Sequence, residues 1–189
     1  TLIRDGEQFF NDTNTITADA TDARFVYAVW DRLSATGSGP AMFARTTDGG
    51  ATWEAARAIH DPGAASQTIG NVIAVLPNGT VVNLFTRLDA GPNNLMTASL
   101  HVLLSVDKGG SWTGPFRVAD LLAVGARDPD NGTLIRDGAT LGQIAVAPNG
   151  HLWVVWQDAR FSNGVHDGIA LSRSTDGGRT WTPPVQVNS

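Results

Sequence analysis

An all-β fold of repeated four-stranded units follows from three observations on this 189-residue sequence. A glycine-rich octapeptide occurs three times, short apolar runs flank tight-turn signals along the chain, and no segment carries a helical period. The octapeptides are Thr46-Thr47-Asp48-Gly49-Gly50-Ala51-Thr52-Trp53, Ser105-Val106-Asp107-Lys108-Gly109-Gly110-Ser111-Trp112 and Ser174-Thr175-Asp176-Gly177-Gly178-Arg179-Thr180-Trp181. They share the pattern [ST]-x-D-x-G-x-[ST]-W, with 59 residues from Asp48 to Asp107 and 69 from Asp107 to Asp176.

Each octapeptide lies between apolar runs, as Ile169–Arg173 and Val185–Val187 lie around the third, so each reads as a turn between two strands. Upstream of each is a second hairpin signal. Pro77-Asn78-Gly79 separates Val72–Val75 from Thr80–Phe85, and Pro148-Asn149-Gly150 separates Ile144–Ala147 from Leu152–Trp156. In the first unit Asp22-Ala23 takes that place, between Thr15–Ala18 and Phe25–Trp30. Four antiparallel strands, A to D, result in each unit. The hexapeptide Thr1–Gly6 recurs as Thr133–Gly138, in both cases shortly before a strand A, and helps to set the units at about 1–60, 61–120 and 121–189. Stacked four-stranded repeats of this size are β-propeller blades, and the three make one three-blade unit. Propellers close with roughly four to eight blades, so three are half of a ring. A homodimer, or a cut from a longer propeller, is expected.

Composition narrows the function. No cysteine is present, which removes disulfides, thiolate metal sites and cysteine nucleophiles. No run approaches the roughly 18 apolar residues of a membrane span. A net charge of −5 argues against nucleic acid as a partner. Twelve of the 13 basic residues are arginine, a bias that suits bidentate recognition of carboxylates and is equally produced by a GC-rich genome.

In the octapeptide the glycines supply positive φ, the aspartate accepts free backbone N–H groups of the turn, and the tryptophan can wedge between blades. Asp48, Trp53, Asp107, Trp112, Asp176 and Trp181 are therefore structural rather than catalytic or calcium-binding. These octapeptides resemble the Asp boxes of the sialidase superfamily, C-to-D hairpin motifs on six-bladed propellers. The resemblance covers all three units and marks the fold; Asp boxes also occur in other glycoside hydrolases and in non-enzymatic propellers.

Strand alternation puts the A–B and C–D turns on one face of the ring and the long B–C and D–A connections on the other. Those connections are 31–40, 88–94, 158–167 and 119–141, and loops on a rigid scaffold are where binding residues concentrate. Arg4, Arg32, Arg87, Arg127, Arg136 and Arg160 lie in or beside them. Arg32, Arg87 and Arg160 occupy similar places at the end of strand B. They either form a ligand-binding cluster for a glycan or anionic sugar, or pair with Asp31, Asp89 and Asp158 to hold their own loops.

The run Trp156–Ile169 resembles the sialidase segment in which a strand-B arginine precedes the loop bearing the general acid, which would make Asp167 that acid and Arg160 its neighbour. The alternative is that Asp167-Gly168 simply starts strand C. The chain departs from the family elsewhere. The strand-A arginine is replaced by Gly142-Gln143-Ile144, Asn71-Val72-Ile73 and Asn14-Thr15-Ile16. The single tyrosine, Tyr27, falls in mid-strand, and neither of the two glutamates, Glu7 and Glu54, is an evident partner for it. A glycan-binding or scaffold propeller is the first expectation; a sialidase-type hydrolase completed by a second copy or further blades is the alternative, and a protein-interaction module a third.

No cofactor is expected. Asp128-Pro129-Asp130-Asn131-Gly132 has oxygen ligands suited to calcium but not a calcium-loop spacing, and the four histidines lack metal-ligand spacing. Asn11, Asn78 and Asn131 fit the glycosylation sequon, although Asn-Gly-Thr is equally turn chemistry. The chain opens on Thr1 rather than Met, and a secreted or extracytoplasmic, bacterial protein is expected.

Overall fold

The computed structural model describes residues 9–34, 38–92 and 95–188. The hexapeptide Thr1–Gly6, with Arg4, and Glu7 lie outside the described residues. Three four-stranded antiparallel sheets follow one another, and the described residues contain no α-helix. The first sheet is β1 (Phe9–Ala18), β2 (Val26–Ser34), β3 (Ala41–Thr46) and β4 (Arg57–His60). The second is β5 (Ser66–Val75), β6 (Val81–Ala90), β7 (Met96–Ser105) and β8 (Thr113–Leu121). The third is β9 (Gln143–Val146), β10 (Leu152–Asp158), β11 (Gly168–Ser174) and β12 (Val185–Gln186). In each, strands neighbour one another in chain order, the meander of a propeller blade.

Burial shows how the blades stack. In the middle blade the run Val81–Thr86 of β6 is buried on both sides, the pattern of a strand covered by a layer on each face. In the first blade only alternate residues of β2 are buried, Tyr27, Val29 and Asp31. In the third the buried set of β10 is Leu152, Val154, Trp156 and Asp158. Because side chains alternate across a strand, each outer blade covers the single face it turns to the middle one.

One apolar cluster, Tyr27, Val29, Phe43, Ile73 and Val81, joins blades one and two. A larger one, including Leu84, Leu100, Val102, Val154 and Trp156, joins blades two and three. Full burial of each such side chain contributes roughly 1.5–3 kcal/mol. The inner strands are also tied directly: Thr15 Oγ1 donates to the Asn71 carbonyl at 2.9 Å and Thr17 Oγ1 to that of Ile73 at 3.1 Å.

The Asp boxes close by one scheme. Asp107 accepts from Ser111 N at 2.8 Å, Ser111 Oγ at 2.7 Å and Ser105 Oγ at 2.7 Å. Asp48 makes the same bonds with Thr52 and Thr46, and Asp176 with Thr180 and Ser174. The hydrogen bonds from Thr52 hold the Asp48 carboxyl down at about 2. Trp112 meets the Phe43 ring of the first blade edge-on at 5.4 Å, and Trp181 packs on the cluster between blades two and three.

The chain's single lysine adds a latch between blades. Lys108 stands at φ 59° where the other boxes have Gly49 and Gly177, and its Nζ donates to Asp19 Oδ2 at 2.8 Å and Thr21 Oγ1 at 2.6 Å in the first blade.

Two connections are shorter than the sequence suggests. β2 runs on to Ser34, and β6 and β7 pair out to Ala90 and Met96, so the long segment expected at 88–94 is mostly ladder. The physical reason is that Leu88–Ala90 alternate as well as any strand, and the Gly-Pro-Asn turn signal begins only at Gly91. The connection from β8 to β9, residues 122–142, is the one long excursion, and residues 159–167 follow with a single 3-10 turn at Arg160–Ser162.

Candidate functional site

Strand ends and loops of all three blades meet on the face opposite the Asp boxes. The ends of β2, β6 and β10 and the start of β1 and β5 converge there, and the 122–142 connection lies across them. A cavity of about 480 Å³ opens where they meet, walled by Asp12, Thr13 and Ile69 on one side and by Gly125, Arg136 and Asp137 on the other. A second, of about 640 Å³, shares Val124 and Gly125 with it and reaches Gln157 and Asp167. Both are of a size that holds a sugar unit or two. A cavity of about 440 Å³ on the Asp-box face is lined by the Pro-Asn-Gly turns and the third box.

Asp167 shapes the wall between the two upper cavities. Its Oδ1 accepts from Val124 N at 2.9 Å, and its Oδ2 accepts from Gly125 N at 2.8 Å and Gln157 Nε2 at 2.7 Å. Asp137 does the same from the other side, accepting from Ala126 N at 2.6 Å and Ala139 N at 2.9 Å. The backbone bonds from Ala139 and Ala126 hold the Asp137 carboxyl below the usual carboxylate range. The long connection, which has few strand bonds of its own, is thus pinned by two carboxylates that Gln157 bridges.

Two of the three strand-B arginines are committed to carboxylates of their own blade. Arg160 forks onto Asp158, Nε to Oδ1 at 2.8 Å and Nη2 to Oδ2 at 2.8 Å, and also donates to the Asp120 carbonyl of the middle blade. Asp158 is fully buried and takes further bonds from Trp156 Nε1 at 2.7 Å and Leu122 N at 3.2 Å. Burial disfavours its charge, and these bonds outweigh it, so its carboxyl ends below the ordinary range. Arg87 Nε donates to both oxygens of Asp89, at 2.8 and 2.9 Å. Arg32 donates to Asn11 Oδ1 at 3.1 Å and lies over the Phe9 ring. Local spacing separates these cases: Arg87 and Asp89 are two apart on β6 and share a face, Arg160 turns back onto Asp158 from the 3-10 turn just after β10, and Asp31 and Arg32, adjacent on β2, point to opposite faces.

Asp31 is the residue the sequence did not single out as a site. It is 1% exposed, lies between blades one and two, and forms no ion pair with a cation among the described residues. Register shifts in both inner strands, between Asp12 and Thr15 and between Ile69 and Val72, with Thr13 at φ 51° and Gly70 at φ 69°, put donors against it. Gly70 N donates to Oδ2 at 3.0 Å and Asn71 Nδ2 to Oδ1, while Asn83 Nδ2 donates to Asn71 Oδ1 at 2.7 Å. Burial pushes the Asp31 carboxyl up to about 6, and Asp12, opposite it across the β1–β2 ladder, adds to the rise.

Tyr27 is wholly buried and its hydroxyl donates to Asp19 Oδ2 at 2.6 Å; burial raises its pKa far above the ordinary phenol value. Glu54 pairs with Arg45 at 3.0 Å. The calcium candidate closes on itself, with Asp128 Oδ1 accepting from Asp130 N at 2.8 Å and Oδ2 from Asn131 Nδ2 at 3.1 Å. Among the described residues no three His, Asp or Glu side chains group as a metal requires. Asn78 and Asn131 accept from Thr80 N and Thr133 N within their turns.

The BNR/Asp-box repeat model matches residues 172–183, the third box. Among solved structures the chain resembles the Hadza microbial sialidase Hz136 at 19% identity and a TM-score of 0.62, over 95% of this chain and 34% of that one. It resembles the GH93 α-L-arabinofuranosidase of Fusarium graminearum at 18% identity and a TM-score of 0.63, over 92% of this chain and 47% of that one. The fold is that of a sialidase-like Asp-box propeller. A Trypanosoma rangeli sialidase mutant matches at 18% identity and a TM-score of 0.56, with 91% of this chain on 30% of its own. No curated protein matches the sequence. The chain spans from 30% to 47% of the length of these propeller enzymes. No helix among the described residues is long and apolar enough to cross a membrane.

Proposed function

We propose that this chain is the glycan-binding half of a sialidase-like propeller, that its ligand enters the cavities beside the 122–142 connection, and that it does not by itself cleave glycosidic bonds. The observation that carries this reading is the placement of Asp167. Both of its oxygens accept backbone N–H bonds that hold the side chain in the wall, whereas a general acid needs an oxygen turned to the leaving group. Tyr27 and Glu54 are engaged elsewhere, so the nucleophile pair expected of the sialidase type has no counterpart among the described residues. With Arg87 and Arg160 paired, Arg136, exposed on the rim of the first cavity, and Arg127, lining the second, are the guanidinium groups offered to an anionic sugar.

Titration with sialyllactose and with an arabino-oligosaccharide, followed by calorimetry or saturation-transfer NMR, tests this. Millimolar binding of either, weakened about fivefold or more by Arg136→Ala, is the expected result, and no binding of either removes the glycan reading. A sialidase-type hydrolase completed by further blades is the second reading, favoured because the sialidase and arabinofuranosidase neighbours are two to three times longer than the matched part. Turnover of a fluorogenic sialoside that is lost in Asp167→Ala would establish it in place of the first. The same proposal puts the protein outside the cytoplasm, which fractionation of the source cells checks.

A further inference from the structure

The chain makes one kind of blade-to-blade seam twice and carries the two unpaired halves of a third. In the first seam the box of blade two docks on β3 of blade one. Gly109 fits so closely that a Cβ there would lie 2.5 Å from the Phe43 ring, and Trp112 meets the same ring. Arg45, two residues after Phe43 and so on the same face, donates through Nη1 to the Lys108 carbonyl of that box at 2.6 Å. In the second seam Gly178 lies against Leu104 and Val102 of β7. Strand A follows the same rule: Ile73 is 4% exposed on Tyr27 and Val29, and Ile144 packs on the next cluster.

The counterparts at the two ends have no such neighbour among the described residues. Gly50, equivalent to Gly109 and Gly178, has no atom within 4 Å of where a Cβ would be; Trp53 is 43% exposed and Ile16 is 68% exposed. On the other end, counting back from Ser174 as from Thr46, Leu171 stands where Phe43 does and Arg173 where Arg45 does. Both are on the face of β11 turned away from the middle blade, with Val155 opposite Leu171 and Trp153 opposite Arg173 across the ladder. An apolar strand with an arginine in place, and a box with an open glycine and a half-exposed tryptophan, are complementary by the pattern the chain itself uses.

We propose that blade three of one copy docks on blade one of a second copy, Leu171 and Arg173 against the box at Gly50 and Trp53, so that two copies close a six-blade ring through two identical seams. The seam continues an interface already made twice within the chain. The 47% share of the arabinofuranosidase covered by these three blades shows that folds of this kind have room for a second set of the same size. Closure would put the cavities beside the 122–142 connection of both copies around one central mouth, a site half-walled in a single chain.

Sedimentation equilibrium or native mass spectrometry of the 189-residue chain, from about 1 to 100 μM, tests the proposal. A species of twice 19.9 kDa is expected. Ile16→Arg, at a position already exposed, and Leu171→Arg should each weaken association at least tenfold while far-UV circular dichroism stays unchanged. Mixing the two variants should restore a dimer, because one of its seams is then wild type on both sides. A monomer throughout, a dimer indifferent to both substitutions, open oligomers larger than two, or no recovery in the mixture each overturns it; if Leu171→Arg fails to fold, Arg173→Glu takes its place in the mixture. Dimerisation is read independently of sugar binding, so failure of one leaves the other standing.

Discussion

Asp31→Asn should stabilise the protein at neutral pH, against the usual direction of a substitution in a buried network. The carboxyl is 1% exposed, with neutral donors only, and its pKa of about 6 replaces the ordinary 3.8. That rise corresponds to about 3 kcal/mol against the charged form. The sign follows from proton binding: between the ordinary value and about 6 the folded state holds more protons than the unfolded chain, so the stability Asp31 contributes in acid is lost as pH rises through 6. Integrated from pH 4.5 to 7.5, the loss is about 2 kcal/mol.

Asparagine removes the charge and keeps an acceptor for Gly70 N. It also turns an amide toward Asn71, which forces Asn71 and Asn83 to reverse. That reversal is affordable because Asn83 Oδ1 has no partner in the native arrangement, so an orphan acceptor is exchanged for an orphan donor at about 1 kcal/mol or less. The net expectation is a gain of about 1–2 kcal/mol at pH 7.5 and about zero, or a slight loss, at pH 4.5. Urea unfolding followed by fluorescence of the six tryptophans measures both. An equal effect at the two pH values, or a larger loss at pH 7.5, refutes the reasoning.

His101 works in the opposite sense. Burial lowers its pKa from 6.5 to about 4, with Ser99 Oγ 2.9 Å from Nε2 and no partner at Nδ1, so its contribution is whole above 6.5 and falls away by about 3 kcal/mol as pH drops toward 4; His101→Gln should flatten that slope in urea titrations at stepped pH. Lys108→Ala should destabilise by about 2–3 kcal/mol, because the Asp19 side chain, fully buried, loses its cation, and the Asp19 carboxyl, now held at about 2, should rise in NMR titration. Asp107→Ala removes the acceptor of three bonds in the middle box and should cost about 2–3 kcal/mol in the same assay. Asp48→Ala, in a box with no docked neighbour, tests whether the seam adds to the turn: in monomeric Ile16→Arg it should lose about 1 kcal/mol less than Asp107→Ala.

The blades were legible in the sequence because their determinants are local. A hydroxyl, an aspartate and glycines within eight residues close a turn whatever surrounds them, and apolar alternation over a few residues marks a half-buried strand. Arg87 with Asp89 was nearly legible too, since strand period alone puts residues two apart on one face, whereas Arg160 reaches Asp158 through the 3-10 turn that follows β10. Asp31 was not. Its environment is made by Gly70 and Asn71, some forty residues away, brought against it by register shifts in two inner strands that no run of residues announces. The same holds for the contacts of Asp167, whose carboxylate accepts from the backbone of residues 124 and 125, more than forty residues away.

Sequence by itself determined the turns, the strands and the count of three blades, because those depend on neighbours within a few residues. Only the tertiary structure decided which charges are paired and which faces are left bare. Ile16, Ile73 and Ile144 hold one position in three blades, yet the first is 68% exposed and the second 4%. The difference lies in what stands opposite, and burial is a property of the pair of surfaces and not of the residue.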